Sequence, residues 1–310
     1  LETQLQALLV VLALCLAADS LAADGGPSRS RLVALSLVGA LSLLTRLDSV
    51  LLVGPAVLVA GLVAWRTLVV RGLLLLLLPG AAIVVPWLLW KAWFYGALLP
   101  NTFQVKGAGS PLRGALFVVS FLGSYLLAPV AVAAAALPRR PGRSLAPATL
   151  VLTLPPLLLW ALYLVRIGGG FMEFRLLVPV LPLIMIWTAW AVLAIPVGAA
   201  GRAAILGGLV AASVTQAAAF ARSPLNPGLE SIPELAGHLA PSGGDWGGIG
   251  RSLHRAFGDQ DDGPIIAVCP AGAIPYYSGL DSVDMLGLND RWVAQHGDRL
   301  SGRAGHQKIA

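Results

Sequence analysis

Charge is what this sequence has least of. Of its 310 residues only 12% are Asp, Glu, Lys or Arg while 57% are hydrophobic, against roughly 25% charged in an ordinary soluble domain. With a mean hydropathy of +0.81, a soluble globular chain is excluded and an integral membrane protein is expected. Cysteine is nearly absent. Cys15 in an apolar run and Cys269 in an expected strand have neither metal-ligand spacing nor a reason to meet, so no disulfide framework and no zinc site is indicated, and both read as small core residues. His238, His254, His296 and His306 make no HExxH or other metal spacing and default to surface positions. A Walker loop, a GxGxxG and a GxSxG are also missing, which removes support for nucleotide binding and serine hydrolysis. The net charge of +6 is spread over loops rather than gathered on one face with aromatics, so nucleic acid is excluded as a partner and the lipid bilayer, including anionic lipid, is favoured. An initiator Met and the basic flank of a signal peptide are lacking too, and the expectation is a fragment cut at both ends.

What is present is length and greasiness. A spanning helix needs about 20 apolar residues, and 1–18, 72–90, 116–137, 148–165, 176–197 and 203–221 qualify. Residues 32–44 and 50–65 are shorter, covering roughly 21 Å of a roughly 30 Å hydrocarbon core, so the "TRLDS" between them is expected below the membrane surface. The fold class expected is an α-helical polytopic membrane bundle over 1–221, about eight apolar helices including the short pair around 45–49, followed by a small extracytoplasmic α/β domain over 222–310. Placing "DGGPSRSR" (24–31), "WRTLVVR" (65–71), "LPRRPGR" (137–143) and "GAAGR" (198–202) inside satisfies the positive-inside rule. The outer face then receives "TRLDS", "WFYGALLPNTFQVKGAG" (93–109), "RIGGGFMEFR" (166–175) and the tail. Within the tail, "GPIIAVCPAGAIPYYSGL" reads as a strand, turn and short helix, "DSVDMLGL" as a second strand, and "PSGGDWGGIG" (241–250) as a flexible glycine-rich loop.

The outer charges need an explanation. Arg46 offers a planar fork for a phosphate, with Asp48 to orient it or to contact a hydroxyl; the plainer alternative is an ion pair joining two short helices. Asn101 and Lys106 follow a "LLPN" turn beside an aromatic run, where an amide and an ammonium suit a phosphate or a sugar hydroxyl. Otherwise Trp93, Phe94 and Tyr95 are an interfacial belt and Lys106 snorkels. Gly168, Gly169 and Gly170 allow a tight turn or a close approach to a ligand, with Glu173 and Arg175 at the following helix entrance; an ordinary loop is the alternative.

Four strings in order then fit one pattern. "LLTRLDS", "FYGALLPNTFQVK", "GGGFMEFRLLVPVLPL" and "AGAIPYYSGLDSVDMLGLND" with the terminal "GHQK" resemble motifs of polytopic GT-C-type glycosyltransferases that use polyprenyl-phosphate sugars, in particular the mycobacterial terminal arabinofuranosyltransferase family. The resemblance implies transfer of a sugar from a polyprenyl-phosphate donor to a cell-envelope or protein-linked glycan acceptor, outside the cytoplasmic membrane. The residues expected at the donor phosphate are Arg46, Asp48, Asn101, Lys106 and Arg175. Those expected toward the sugar or acceptor are Glu173, Tyr276, Tyr277, Asp284 and Asn289, since aromatics stack on sugars and carboxylates or amides bind hydroxyls; building the domain core and its turns is the alternative role for the last four. Gly170 stands where the family has Asp, and Leu47 and Ser49 replace Pro and Gly. The family's catalytic carboxylate belongs to a loop that would precede Leu1, so the base is expected outside this chain. No cofactor is identified, and a divalent metal is compatible without a ligand set that requires it. A noncatalytic lipid- or glycan-binding membrane protein and a secondary transporter are the competing classes.

Overall fold

The computed structural model describes residues 2–23, 26–106, 109–136, 146–220, 228–241, 245–260, 262–300, 306 and 308–310. The basic stretch 137–143 and the expected domain boundary at 222 lie outside them. The chain is mostly helical, with two very small sheets among the described residues, and five of its described helices are long and apolar enough to cross a membrane, six if one bent pair is a single span. Two compact units divide it.

The first unit comprises 1–98, 122–163 and 175–214. Helix α1 (Glu2–Ala22) buries Thr3, Gln6, Val10, Ala13, Ala17 and Ser20, one stripe at helical spacing. It packs on α2 (Arg29–Thr45) and α3 (Val50–Tyr95). At 1.5 Å per residue a straight α3 would be about 69 Å long. It is not straight, because Val69 adopts φ 52°, ψ −135°, and the space a Cβ on Gly61 would fill is bounded by Leu76 at 3.4 Å. The arms 50–68 and 70–95 therefore fold back on each other. The expected loop 65–71 is a one-residue reversal rather than a separate segment. Gly80 N–H donates to Ser36 Oγ at 2.8 Å, fastening the second arm to α2.

Proline decides two other departures. The expected straight span 116–137 is a pair, α5 (Pro111–Ser124) and α6 (Leu127–Ala136), bent by 80°, with Leu126 at φ 55°; after it Pro129, which lacks an N–H, sits in the first turn of α6, where none is needed. After α6 comes α7 (Pro147–Ile167). The expected span 176–197 opens as a 3₁₀ turn, Arg175–Val180, containing Pro179, before α8 (Leu181–Ala194) takes over with Pro182 in its first turn. Helix α9 (Ala199–Ala219) closes the apolar part.

The second unit comprises 99–121, 164–174 and 215–310. It holds α4 (Asn101–Lys106), α10 (Ile232–Gly237), α11 (Trp246–Phe257), α12 (Ala273–Ser278) and α13 (Arg291–His296). Strands β1 (Ile266–Val268) and β2 (Ser282–Asp284) pair in parallel, Val268 opposite Asp284, with α12 between them in sequence. A two-residue antiparallel pair, β3 (Asp298–Arg299) and β4 (Lys308–Ile309), follows.

The expected flexible loop 241–250 is corrected. From Asp245 onward it is the start of α11, whose N-cap Asp245 accepts from Gly248 N–H at 2.8 Å. Its glycines serve proximity, not flexibility: a Cβ on Gly250 would meet Ile274 O and Tyr277 Cβ at 2.8 Å, so only Gly lets α11 lie this close to α12. The core reading of the cysteines is also corrected, since Cys15 and Cys269 are both exposed free thiols. Cys15 lies off the buried stripe of α1, and Cys269 follows β1 where its side chain has no cover.

Two outcomes are expected in thermal melts. Gly250→Ala should destabilise the second unit by about 1–3 kcal/mol through overpacking, whereas Gly237→Ala, with open space around its Cβ position, should be close to neutral. Glu234 closes a capping box on α10, accepting from Ser231 N–H and Oγ–H, and these bonds hold its carboxyl below the ordinary value of 4.5. Its contribution is complete above that ordinary value and is lost as pH falls through the lowered one. Glu234→Gln should therefore flatten the acid limb of a melting series run from pH 7 downward.

Candidate functional site

The first unit contains a polar node in an otherwise apolar bundle, and it forms where α2 ends. Arg46 leaves the helix with φ −156°, ψ 130°, an extended conformation that turns its side chain back toward Asp48 in the following 3₁₀ turn (Leu47–Ser49). Arg46 Nε donates to Asp48 Oδ1 at 2.9 Å and Nη2 donates to Oδ2, the parallel two-bond geometry that suits guanidinium to carboxylate. Two other helices complete it. Tyr163 of α7 donates its hydroxyl to Asp48 Oδ2 at 3.0 Å. Gln6 of α1 donates from Nε2 to Ser49 Oγ at 2.8 Å and more weakly to Asp48 Oδ1 at 3.4 Å. Each oxygen of Asp48 thus receives two donors, which compensates the desolvation of a carboxylate whose side chain is only 14% exposed. Glu2, at the first turn of α1, accepts from Arg46 Nη1 at 3.1 Å.

Arg46 has five N–H donors, and these contacts engage one each on Nε, Nη1 and Nη2. The guanidinium also interacts with the Tyr163 hydroxyl, so the fork is shared by several partners among the described residues. Asp48 is acceptor only, and both its oxygens are already occupied. The ion pair offered as the plainer alternative is present.

Arg175 belongs to the same unit. It is exposed, with no side-chain ion pair among the described residues. Its neighbour Leu176 accepts at the carbonyl from Trp160 Nε1 at 2.8 Å, and the Trp160 ring lies 5.1 Å from that of Tyr163, so two aromatic side chains connect the start of the 3₁₀ turn at 175 to the node. The aromatic run at the end of α3 is exposed and self-associated: Trp90 stacks on Phe94 at 5.4 Å, Phe94 meets Tyr95 edge-on at 4.8 Å, and Trp93 is 80% exposed.

The remaining candidates lie in the second unit. Asn101 is partly buried at the start of α4, which packs against α13; Lys106 ends α4, and its side chain lies outside the described residues. Gly168 and Gly169 have φ of 82° and 75°, and a Cβ on Gly169 would collide with Phe117 at 2.7 Å, so this glycine serves a turn against an aromatic ring. Glu173 ties chain to chain: its N–H donates to Glu230 O at 2.9 Å and its carboxylate accepts from Ile232 N–H at 3.2 Å. Asp284 is buried and accepts from Leu286 N–H at 2.9 Å and Asn289 N–H at 2.8 Å, holding the turn after β2. Asn289 itself is exposed. Tyr276 (80% exposed) and Tyr277 form an edge-to-face pair at 5.1 Å, with Arg251 5.1 Å from the Tyr277 ring. Among the described residues no three of His, Cys, Asp and Glu gather as a metal site.

Sequence reading missed Glu2, Gln6, Ser49 and Tyr163. The first two carried a signal, because polar residues four apart in an apolar helix share a face and are expensive in a membrane without a partner.

A family profile described as a domain of unknown function, DUF8728, matches residues 244–309. That stretch runs from the cap of α11 through β4 and includes none of the apolar helices. No curated protein and no solved structure matches the chain.

Removing Asp48 leaves Arg46 short of its main partner in a largely desolvated place. Asp48→Ala is expected to destabilise the first unit by about 3–5 kcal/mol and Tyr163→Phe by about 1.5–3, both measured by unfolding in detergent. Glu2→Ala, at a side chain 56% exposed, should cost under about 1 kcal/mol.

Proposed function

We propose that this chain is part of a GT-C-like membrane glycosyltransferase that moves a sugar from a polyprenyl-phosphate donor to a cell-envelope or protein-linked glycan at the outer face of the cytoplasmic membrane. The observation that carries this reading is the Arg46 node. A guanidinium is held by two parallel bonds to Asp48 at one end of an apolar bundle, where in this reading it meets both lipid and water. A prenyl chain needs the first and a phosphate head needs the second.

Orientation supports the same face. Gly26 and Thr67 meet at the end of the bundle opposite the node, where a Cβ on Gly26 would touch Thr67 at 2.7 Å. Arg29, Arg31, Arg66 and Arg71 are clustered in sequence around these two contacts, so the positive-inside rule puts that end in the cytoplasm and the node outside. Trp90, Trp93, Phe94 and Tyr95, at the end of the returning arm of α3, form an aromatic belt at the outer interface. In this reading an acceptor hydroxyl displaces the phosphate at the anomeric carbon and gives its proton to a base outside this chain, while Arg46 stabilises the charge that accumulates on the departing phosphate. Tyr276 and Tyr277 offer the second unit exposed rings on which an acceptor sugar can stack.

A noncatalytic lipid- or glycan-binding protein is the second reading, and one observation favours it. Asp48, Glu173 and Asp284 all have their carboxylates engaged by donors within the protein, so none of the three is poised as a general base.

Turnover separates the readings. The full-length parent of this chain should transfer sugar from a polyprenyl-phosphate sugar to a glycan acceptor, and Arg46→Ala in it should lower the rate by about 100-fold or more; turnover unchanged in that variant removes Arg46 from the donor site, and no turnover with any such donor leaves the binding reading. For the orientation, a membrane-impermeant maleimide added to intact cells should label Cys269 and not Cys15. Labelling of Cys269 only after lysis would place the second unit in the cytoplasm.

A further inference from the structure

The members of the node are not equally fixed. Asp48 is locked by Arg46 Nε and Nη2, Gln6 and Tyr163. Glu2 makes one bond, to Arg46 Nη1, has no other side-chain partner among the described residues, and is 56% exposed where Arg46 is 17% and Asp48 14%. It lies on the guanidinium that an incoming oxyanion would share, so that one guanidinium faces two carboxylates.

We propose that Glu2 is a specificity-determining residue that sets the charge the Arg46 site accepts, favouring a monoanionic phosphodiester over a dianionic phosphomonoester. This rests on reading Arg46 as the clamp for a prenyl phosphate. A phosphodiester brings a single charge, whereas a monoester loses a second proton near pH 6 and brings up to two. The additional charge feels the Glu2 carboxylate from either side of the shared guanidinium, about 6 Å away at near-water screening, which corresponds to roughly a threefold change in affinity. In the proposed reaction the donor is a diester and the lipid product a monoester. Glu2 therefore discriminates against the product that competes for the same fork and hastens its departure.

The test uses the full chain in nanodiscs of uncharged lipid, with two probes of identical tail, farnesyl phosphate and methyl farnesyl phosphate. Glu2→Gln should tighten the monoester about threefold more than the diester at about pH 8, and the difference should vanish at about pH 5, where both probes carry one charge. Equal effects of Glu2→Gln on both probes, or a difference independent of pH, would overturn the proposal. Arg46→Gln, with the charge-conserving Arg46→Lys as a check on folding, should abolish and weaken binding of both probes respectively. If both Arg46 variants bind as the wild type does, the clamp reading falls and the Glu2 proposal with it; if they lose binding while Glu2→Gln shows no charge selectivity, only the Glu2 proposal falls.

Discussion

The two-bond pairing of Arg46 with Asp48 is the interaction on which the first unit depends. Two residues apart, these side chains could not face each other on a helix; they do so because the backbone leaves α2 in an extended conformation at Arg46 and re-enters a 3₁₀ turn at Leu47. That break brings a charge pair to a place where apolar helices surround it, and burial makes partners obligatory. Tyr163 and Gln6 supply them. The same four side chains join α1, the α2–α3 corner and α7, so the device that satisfies Asp48 also fixes three helices at one end of the bundle. Buried ion pairs contribute little net stability against apolar replacements, but removing one partner leaves the other charge uncompensated, so the first unit depends on the pair staying intact.

The second unit follows a different logic. Its carboxylates are used as internal fasteners: Glu173 on Ile232 N–H, Asp284 on two backbone N–H groups of its own turn, Asp245 as a helix cap, Glu234 in a capping box. Even Lys308, buried, donates to the carbonyls of Ala294 and Gln295 at the end of α13. A module with so small a sheet gains order from such local bonds and from the close contact of α11 with α12 at Gly250. The large side chains it presents outward include Tyr276 and Trp292 together with Ile232 and Ile265.

Much of this was legible in the sequence, for reasons that can be traced. Unbroken apolar runs of about 20 residues announce helices because a helix satisfies its whole backbone within one segment in lipid, and a lone "TRLDS" between short runs marks a buried charge because such charges are costly. The bend between α5 and α6 and the reversal at Val69 were hidden, since hydropathy records how greasy a segment is and not where its backbone turns. Glycine misled at 247–250, where the same residue that signals mobility also permits the tightest helix contact. Cys15 and Cys269 misled because burial of a small residue depends on which face it lands on. Asp284 and Glu173 were recognisable as important, but composition cannot say whether a carboxylate faces a ligand or a neighbouring N–H.

The account stands on an anionic prenyl head being held at the Arg46 end of the bundle. Photocrosslinking with a diazirine-bearing polyprenyl phosphate, followed by peptide mapping, tests this most directly. Labels are predicted on the beginning of α1, the 44–52 corner, the last two turns of α7 and the aromatic end of α3, and they should disappear when inorganic phosphate-free buffer is supplemented with excess unlabelled lipid. Labels concentrated around Gly26 and Thr67, at the other end, would contradict it.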